Sequence, residues 1–255
     1  MPYENSPADY YVGKGKLWVD LLDSDDARTG ERYLGNAPTF EITTNQEKLD
    51  HRSSADAAAA KDASLVKSTD VSIRIVLDEY SKENVALAVA GDHSTLTQTS
   101  GSASDEAVTA VAQDRWYELA YRDVSSVVVT GSEGTPTYVV DEDYKVDAVS
   151  GRLYIVAGGD ITAGTELEVS YDYGELALDT TRAVTDTDKT AFLRFVSDPS
   201  EGKAKEIQIW KVVLRSDGAL PLITEDWGQI TLAGEVESDT ANHPNEPHMR
   251  IIDLE

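Results

Sequence analysis

The chain has 255 residues, enough to bury the core of one large β domain or two smaller ones. Its 22 Lys and Arg face 47 Asp and Glu, a formal net charge of −25. That balance argues against tight nucleic-acid binding, which needs cations to displace phosphate counterions, and keeps single subunits apart until a specific contact overcomes their repulsion. With no cysteine, disulfides and thiol catalysis are excluded. The opening MPYENSPADYY lacks the basic end and apolar run of a signal peptide, and no run of eighteen apolar residues occurs, so neither export nor a membrane helix is expected.

In chain order, residues 1–12 are polar, interrupted by Pro2 and Pro7, and are expected to form an arm ordered by contact with something else. Leu17, Val19 and Leu21 alternate with Lys16, Trp18 and Asp20, which predicts a strand. The acidic run Asp23-Ser24-Asp25-Asp26 fails as a calcium loop because Ala27 stands at the fifth position, and is expected to be a solvated turn. A short strand over 39–43, with Phe40 and Ile42 on one face, is followed by a polar stretch over 44–67 without apolar periodicity, read as a long irregular loop with a function. Inside it, Ala55 to Asp62 has high helix propensity but is too short to hold alone. Val71, Ile73, Ile75 and Leu77 then share one face of a clear strand. Ser81 offers a helix N-cap, Val85, Ala88 and Val89 fall at helical spacing, and Gly91 supplies a stop.

The Ser/Thr-rich stretch from Ser94 to Ala103 reads as a linker. Residues 112–174 read as an inserted all-β module of short strands separated by Gly and Pro, with an aromatic stripe fit for cross-strand packing or for sugar. The main domain, 1–111 with 175–255, resumes with strands over 191–196, 205–214 and 227–237, and a tail of loop composition runs from 238 to 255. Alternation puts Ile207, Ile209, Ile230, Leu232 and Val236 on an apolar face and Glu206, Gln208, Thr231, Glu235 and Glu237 on the opposite one.

No phosphate-cradling loop, nucleophile elbow or His-Glu-x-x-His motif is present, and His243 and His248 are badly spaced for one metal. His51, beside Asp50 and Arg52, has no candidate nucleophile next to it and is expected to be a surface or interface residue. No pair of carboxylates stands out from the many, so no catalytic, cofactor or metal site is assigned.

The order GKGKLWVDL, ERYLGNAPTFEIT, a long loop, the strand over 71–77 and SKENVALAVAG, closed by EIQIWKVVL and WGQITLAGEV, resembles the major tail tube proteins of long-tailed bacteriophages, in the tail tube and type VI secretion tube superfamily. The likeness covers Gly13 to Gly91 and Leu176 to Glu237. It implies a mainly β fold, a β-sandwich with one short helix, whose 44–67 loop reaches onto the next subunit through Glu47, Leu49, His51, Arg52 and Leu65. It also implies hexameric rings stacked into a virion tube, assembled in the host cytoplasm and capped by other phage tail proteins. Glu206, Gln208, Thr231, Glu235 and Glu237 would line a lumen through which DNA passes without specific binding. The stretch YKVDAVSGRLYIV with GTELEVSYDY is similar to modules inserted in some phage tail proteins, expected on the tube exterior. The readings from other classes are a glycan-binding adhesin and a carboxylate glycosidase.

Overall fold

A computed structural model of the chain describes residues 10–54 and 59–254. It is mainly β and divides into two compact units, Met1–His93 with Thr181–Glu255, and Ser94–Thr180. In chain order the elements are β1 (Gly15–Leu21), β2 (Arg32–Tyr33), β3 (Thr39–Arg52), β4 (Lys61–Leu77), α1 (Lys82–Ala88), β5 (Asp92–Gln98), β6 (Gly101–Val108), β7 (Arg115–Glu118) and β8 (Val124–Gly131). They continue with β9 (Tyr144–Asp147), β10 (Arg152–Ile155), β11 (Leu167–Tyr173), β12 (Leu176–Arg182), β13 (Lys189–Ser197), β14 (Lys205–Ser216), β15 (Ile230–Val236) and β16 (Met249–Asp253).

The first unit is built on one antiparallel sheet in the order β2-β1-β13-β14-β15-β4-β3. The second edge of β14 is shared: β16 pairs with Lys205 to Ile209, and β15 takes over from Val212 to Ser216. Between them the register against β13 jumps, Leu193 facing Ile209 and Ala191 facing Val212. That bulge explains why the apolar residues of β14 run Ile207, Ile209, Val212, Leu214 rather than at strict period two.

Alternate residues put Leu17, Val19, Ile73, Ile75, Leu77, Leu193, Ile209, Val212, Ile230 and Leu232 into one core, each 2 % exposed or less. Phe40 on β3 meets Phe195 on β13 at a ring distance of 5.4 Å, although three strands separate β3 from β13 in the sheet. Four strand spacings would span roughly 19 Å in a flat sheet. The sheet therefore curls until its two ends share a core, and α1 packs on β14 and β15.

Ser81 caps α1, accepting a bond from Asn84 N–H at 3.2 Å. The helix buries Asn84, Ala86, Leu87 and Ala88, with Val85 packed against the core, so of the expected Val85, Ala88 and Val89 only Val89 lies outside it. Asn84 donates to the Leu34 and Glu79 carbonyls and accepts from Arg32, tying α1 to β2. The left-handed residue at the helix end is Ala90, at φ 49°, while Gly91 is required one position later because a Cβ there would lie 1.8 Å from the Arg182 carbonyl oxygen.

Several expectations are corrected. The stretch 44–67 is not an irregular loop: β3 and β4 pair through it to Arg52 and Lys61. Of the expected helical piece, residues 55–58 lie outside the described residues, whereas Lys61 and Asp62 begin β4. The supposed linker Ser94 to Ala103 contributes to β5 and β6, because Ser and Thr suit an exposed strand as well as a loop. The second compact unit consequently spans Ser94–Thr180, wider than 112–174. The C-terminal tail carries β16 on β14. Of the N-terminal arm, residues 1–9 lie outside the described residues, and Val12 pairs with Glu201 of its own chain. Asp23 to Ala27 is the expected turn, closed by Asp23 Oδ1 accepting from the Asp25 and Ala27 N–H groups, both at 2.9 Å.

The second unit packs sheets β6-β11-β8 and β7-β10-β9 around Val129, Leu153, Ile155, Ile161, Leu167 and Val169, none measurably exposed. Buried Asp143 satisfies the Val139 and Asp160 N–H groups at 2.8 and 2.7 Å. Its core is separate from that of the first unit, and the strands entering and leaving it, β5 and β12, pair with each other. Expressed alone, Ser94–Thr180 is expected to unfold in one cooperative urea transition with dispersed amide NMR signals in its native state; a molten spectrum would contradict an independent fold.

A second prediction concerns Asp20, which is 1 % exposed and accepts from Arg28 Nε at 2.7 Å and from the Thr29 and Gly30 N–H groups at 2.9 and 2.7 Å. Burial pushes its carboxyl up, and the Arg28 guanidinium with the two backbone donors outweighs that and holds it below the ordinary carboxylate value. A depressed native pKa contributes stability above the unfolded value and loses it as pH falls through the native one. Asp20→Asn should therefore destabilise by about 2 kcal/mol at pH 7, with the difference shrinking below about pH 4. Urea melts of both proteins at the two pH values check this.

Candidate assembly interface

From Thr39 to Thr43, β3 covers the part of β4 that also pairs with β15. Beyond Val71 the partner on the other side is gone, and residues 44–52 and 61–70 continue as a ribbon of two strands. Nearly every residue of this ribbon is exposed on both faces. Such a ribbon has no core to bury, so its sequence shows none of the apolar alternation that marks a strand. Its cross-strand pairs, not periodicity, carry the signal.

Leu49 stands directly opposite Leu65, 63 % and 65 % exposed, with Val66 opposite Lys48. Around this apolar patch Glu47 pairs with Lys67 at 2.9 Å, Asp50 with Lys61 at 2.7 Å, and His51 Nδ1 with Asp62 at 2.5 Å. Arg52 Nη1 donates to the Ala59 carbonyl at 3.3 Å. Lys61, with help from Ser64, holds the Asp50 carboxyl below its usual range. Glu47, Leu49, His51, Arg52 and Leu65 are thus gathered on one projecting element. Exposed ion pairs contribute little, and an isolated two-stranded hairpin is marginal in water. Among the described residues the outer edge of β3 has no strand partner, an open row of backbone donors and acceptors.

The second set of residues lies on the sheet face opposite the core. Glu206, Gln208, Thr231 and Glu235 alternate with buried or half-buried apolar neighbours, and Glu237 follows just past β15. This face is not a bare acidic wall. Glu206 binds the Arg194 guanidinium and accepts from Gln208 at 2.6 Å, Glu235 lies 3.4 Å from Arg215, and Glu237 lies 3.4 Å from Lys211. Arg194 also grips both Glu31 oxygens and lowers that carboxyl's pKa. Arg28 lies 3.7 Å over the Phe192 ring, with Arg194 at 5.5 Å.

Sequence reading missed the C-terminal clasp on this face. His243 stacks on Trp210 at 3.7 Å and Trp210 Nε1 donates to the Glu246 carbonyl at 2.7 Å. It also placed Trp227 in a strand over 227–237, whereas β15 begins at Ile230 and Trp227 belongs to a loop of exposed apolar residues, 221–227, whose signal was an Ile and a Trp flanking acidic residues. Among the described residues no group of three or more His, Asp or Glu side chains is arranged to hold a metal.

The environments of the three glutamates separate what charge reversal should do. Treating all three as exposed predicts that reversing them leaves folding almost untouched, which holds for Glu235 and Glu237 but not for Glu206, whose side chain is 18 % exposed. Glu206→Lys places a cation against Arg194 and should cost about 2 kcal/mol in urea denaturation. Glu235→Lys with Glu237→Lys should leave the urea midpoint where it is. Equal effects would refute the distinction.

No curated protein matches the sequence. A family model matches residues 10–248, which spans both compact units, the ribbon and the clasp. The chain belongs to the family described as "Protein of unknown function UCP028589".

Proposed function

We propose that this protein is a structural subunit of the tail-tube type, a curled β-sandwich that forms hexameric rings, the rings stacking into the tube of a long-tailed phage virion through which the DNA genome passes. The observation that carries the reading is the ribbon of residues 44–52 and 61–70, which extends past its own sheet with Leu49 and Leu65 in water and one edge unpaired. Such an element gains its stability from a neighbour, and a neighbouring copy is the partner the charge pattern favours. Residues 45–70 hold four Lys and Arg against five Asp and Glu in a chain of net −25, so the ribbon is only weakly repelled by another acidic copy.

The charge also bears on the lumen. Residues 94–180 carry sixteen Asp and Glu against four Lys and Arg, nearly half of the acid excess, while Glu206, Glu235 and Glu237 each face a cation. A lumen lined by that face would be polar and locally compensated, so it would neither bind phosphate nor repel it strongly. Sliding of DNA then depends on the absence of free cations.

A second reading, a glycan-binding adhesin, has an observation of its own. Trp116 is 48 % exposed and lies 5.1 Å from Tyr154, with Arg152 over its ring at 5.1 Å. A glycan array with Trp116→Ala as control decides it: binding that the substitution abolishes would favour the adhesin.

For the tube, negative-stain images of concentrated protein should show rings or tubes. Replacing 44–67 with a short Gly-Ser turn removes no core residue, so the variant should keep the parent's urea midpoint yet sediment as a monomer. Raising salt should promote assembly of the parent by screening its net charge. Normal tubes from the shortened variant would refute the role given to the ribbon.

A further inference from the structure

The loop from β14 to β15 displays Leu222, Ile223 and Trp227 at 80, 98 and 90 % exposure. It is not an unanchored segment. Leu220 packs on the core, Tyr80 OH donates to the Pro221 carbonyl at 3.0 Å, and Asp217 N–H bonds the Thr231 carbonyl at 3.0 Å. Both ends are rooted, and the three apolar side chains are held outward between them. Large apolar and aromatic side chains clustered in water mark an interaction surface, and Trp is the side chain most often found at the energetic centre of one.

The same unit carries a cleft of about 580 Å³ where the N-terminal end of β1 faces β3. Its apolar lining is Leu17, Phe40, Ile42, Phe195 and Ile207. β2 covers β1 only at Trp18 and Val19, which leaves the start of β1 open on that side, and at the rim the Tyr11 ring lies against Gly13 and Phe195 against Gly15. Lys14 and Lys205 stand at the rim. Lys14 makes no ion pair among the described residues, and Lys205 is held by Asp253 at 2.5 Å. The carboxylate of the wall, Glu41, lies 4.0 Å from Arg74.

We propose that the loop 221–227 of one copy seats in the β1–β3 cleft of a second copy, Ile223 and Trp227 on the apolar lining and Glu225 against Lys14. Charge complementarity selects this occupant: the loop presents two acids between its apolar side chains, and the cleft presents Lys14, without an ion pair among the described residues, beside an apolar floor, in a chain where cations are scarce. Knob and hole are different surfaces of one protomer, so every copy offers both and association can propagate from copy to copy. The contact shares with the function proposed above the premise of self-association, but does not require a tube.

The absence of cysteine makes the test clean. Ile223→Cys and Ala37→Cys proteins, the latter at the cleft, are prepared separately, mixed at assembly concentration and treated with a short bis-maleimide. A covalent dimer should form in the mixture and in neither protein alone. Dimers from Ile223→Cys alone would mean that loop meets loop, and no dimer in the mixture would mean that the cleft is not its seat; either overturns the proposal. Charge exchange is the second arm: Lys14→Glu and Glu225→Lys should each weaken association at least tenfold in sedimentation, and the double variant should recover most of it. Failure to recover also overturns the pairing. Cross-linked copies without rings in negative stain would leave this contact standing and remove the tube, whereas rings without cross-links would do the reverse.

Discussion

The pairing of β14 is the constraint on which the first unit depends. This strand holds β13 along one edge and two successive partners, β16 and then β15, along the other. The handover is possible because a bulge at Trp210 and Lys211 shifts the register between Ile209 and Val212. The bulge bends the strand, and a bent central strand helps a sheet curl. From that curl follow the shared core of β3 and β13 and the incompletely covered cleft beside β1. At the bulge Trp210 also turns to the polar face, where it anchors the C-terminal clasp through His243 and Glu246.

Electrostatics is handled differently on the two faces of that sheet. The core side carries charge at its margins, where Lys189 meets Asp92 and Asp186, while the opposite face collects Arg28 and Arg194 over Phe192 and neutralises them with Asp20, Glu31 and Glu206. Phe192, 3 % exposed, is covered by guanidinium groups and flanked by the Trp210 ring. A sheet built this way can present a polar surface without leaving its aromatic residues wet, because arginine packs flat on a ring while its edge serves carboxylates. The net charge of −25 is accordingly not uniform. It is heavy in Ser94–Thr180 and nearly absent from the ribbon.

Buried and exposed apolar residues are divided along the same chain. Strands β1, β4, β13, β14 and β15 carry the buried residues, whereas the ribbon and the loop 221–227 carry apolar residues that contribute nothing to the fold of one copy. Exposing Leu49, Leu65, Ile223 and Trp227 has a cost in water, and a partner that buries them offsets it.

How much was legible in the residues alone depends on burial. Val71 to Leu77, Leu17 to Leu21 and Ile230 to Val236 each have one dry face, and a dry face writes a period of two into the sequence, so the mainly β class, these strands and the capped helix after Ser81 could be read directly. Where neither face is dry the pattern vanishes: residues 44–52 and 61–70 read as a loop although they are the outer parts of the longest hairpin in the unit, and Ser94 to Ala103 read as a linker although it is strand. Pairing partners are equally silent in one dimension. Arg194 and Glu206 are twelve residues apart, and Glu31 lies 163 residues from Arg194, yet they form one network because β1, β13 and β14 are neighbours in the sheet. Alternation could therefore say which side of a strand faces the core, since that is a property of local geometry. Which charges meet on the other side, and where the cleft opens beside an exposed loop, was decided by the curl of the sheet, because only closure in space brings distant residues within reach of one another.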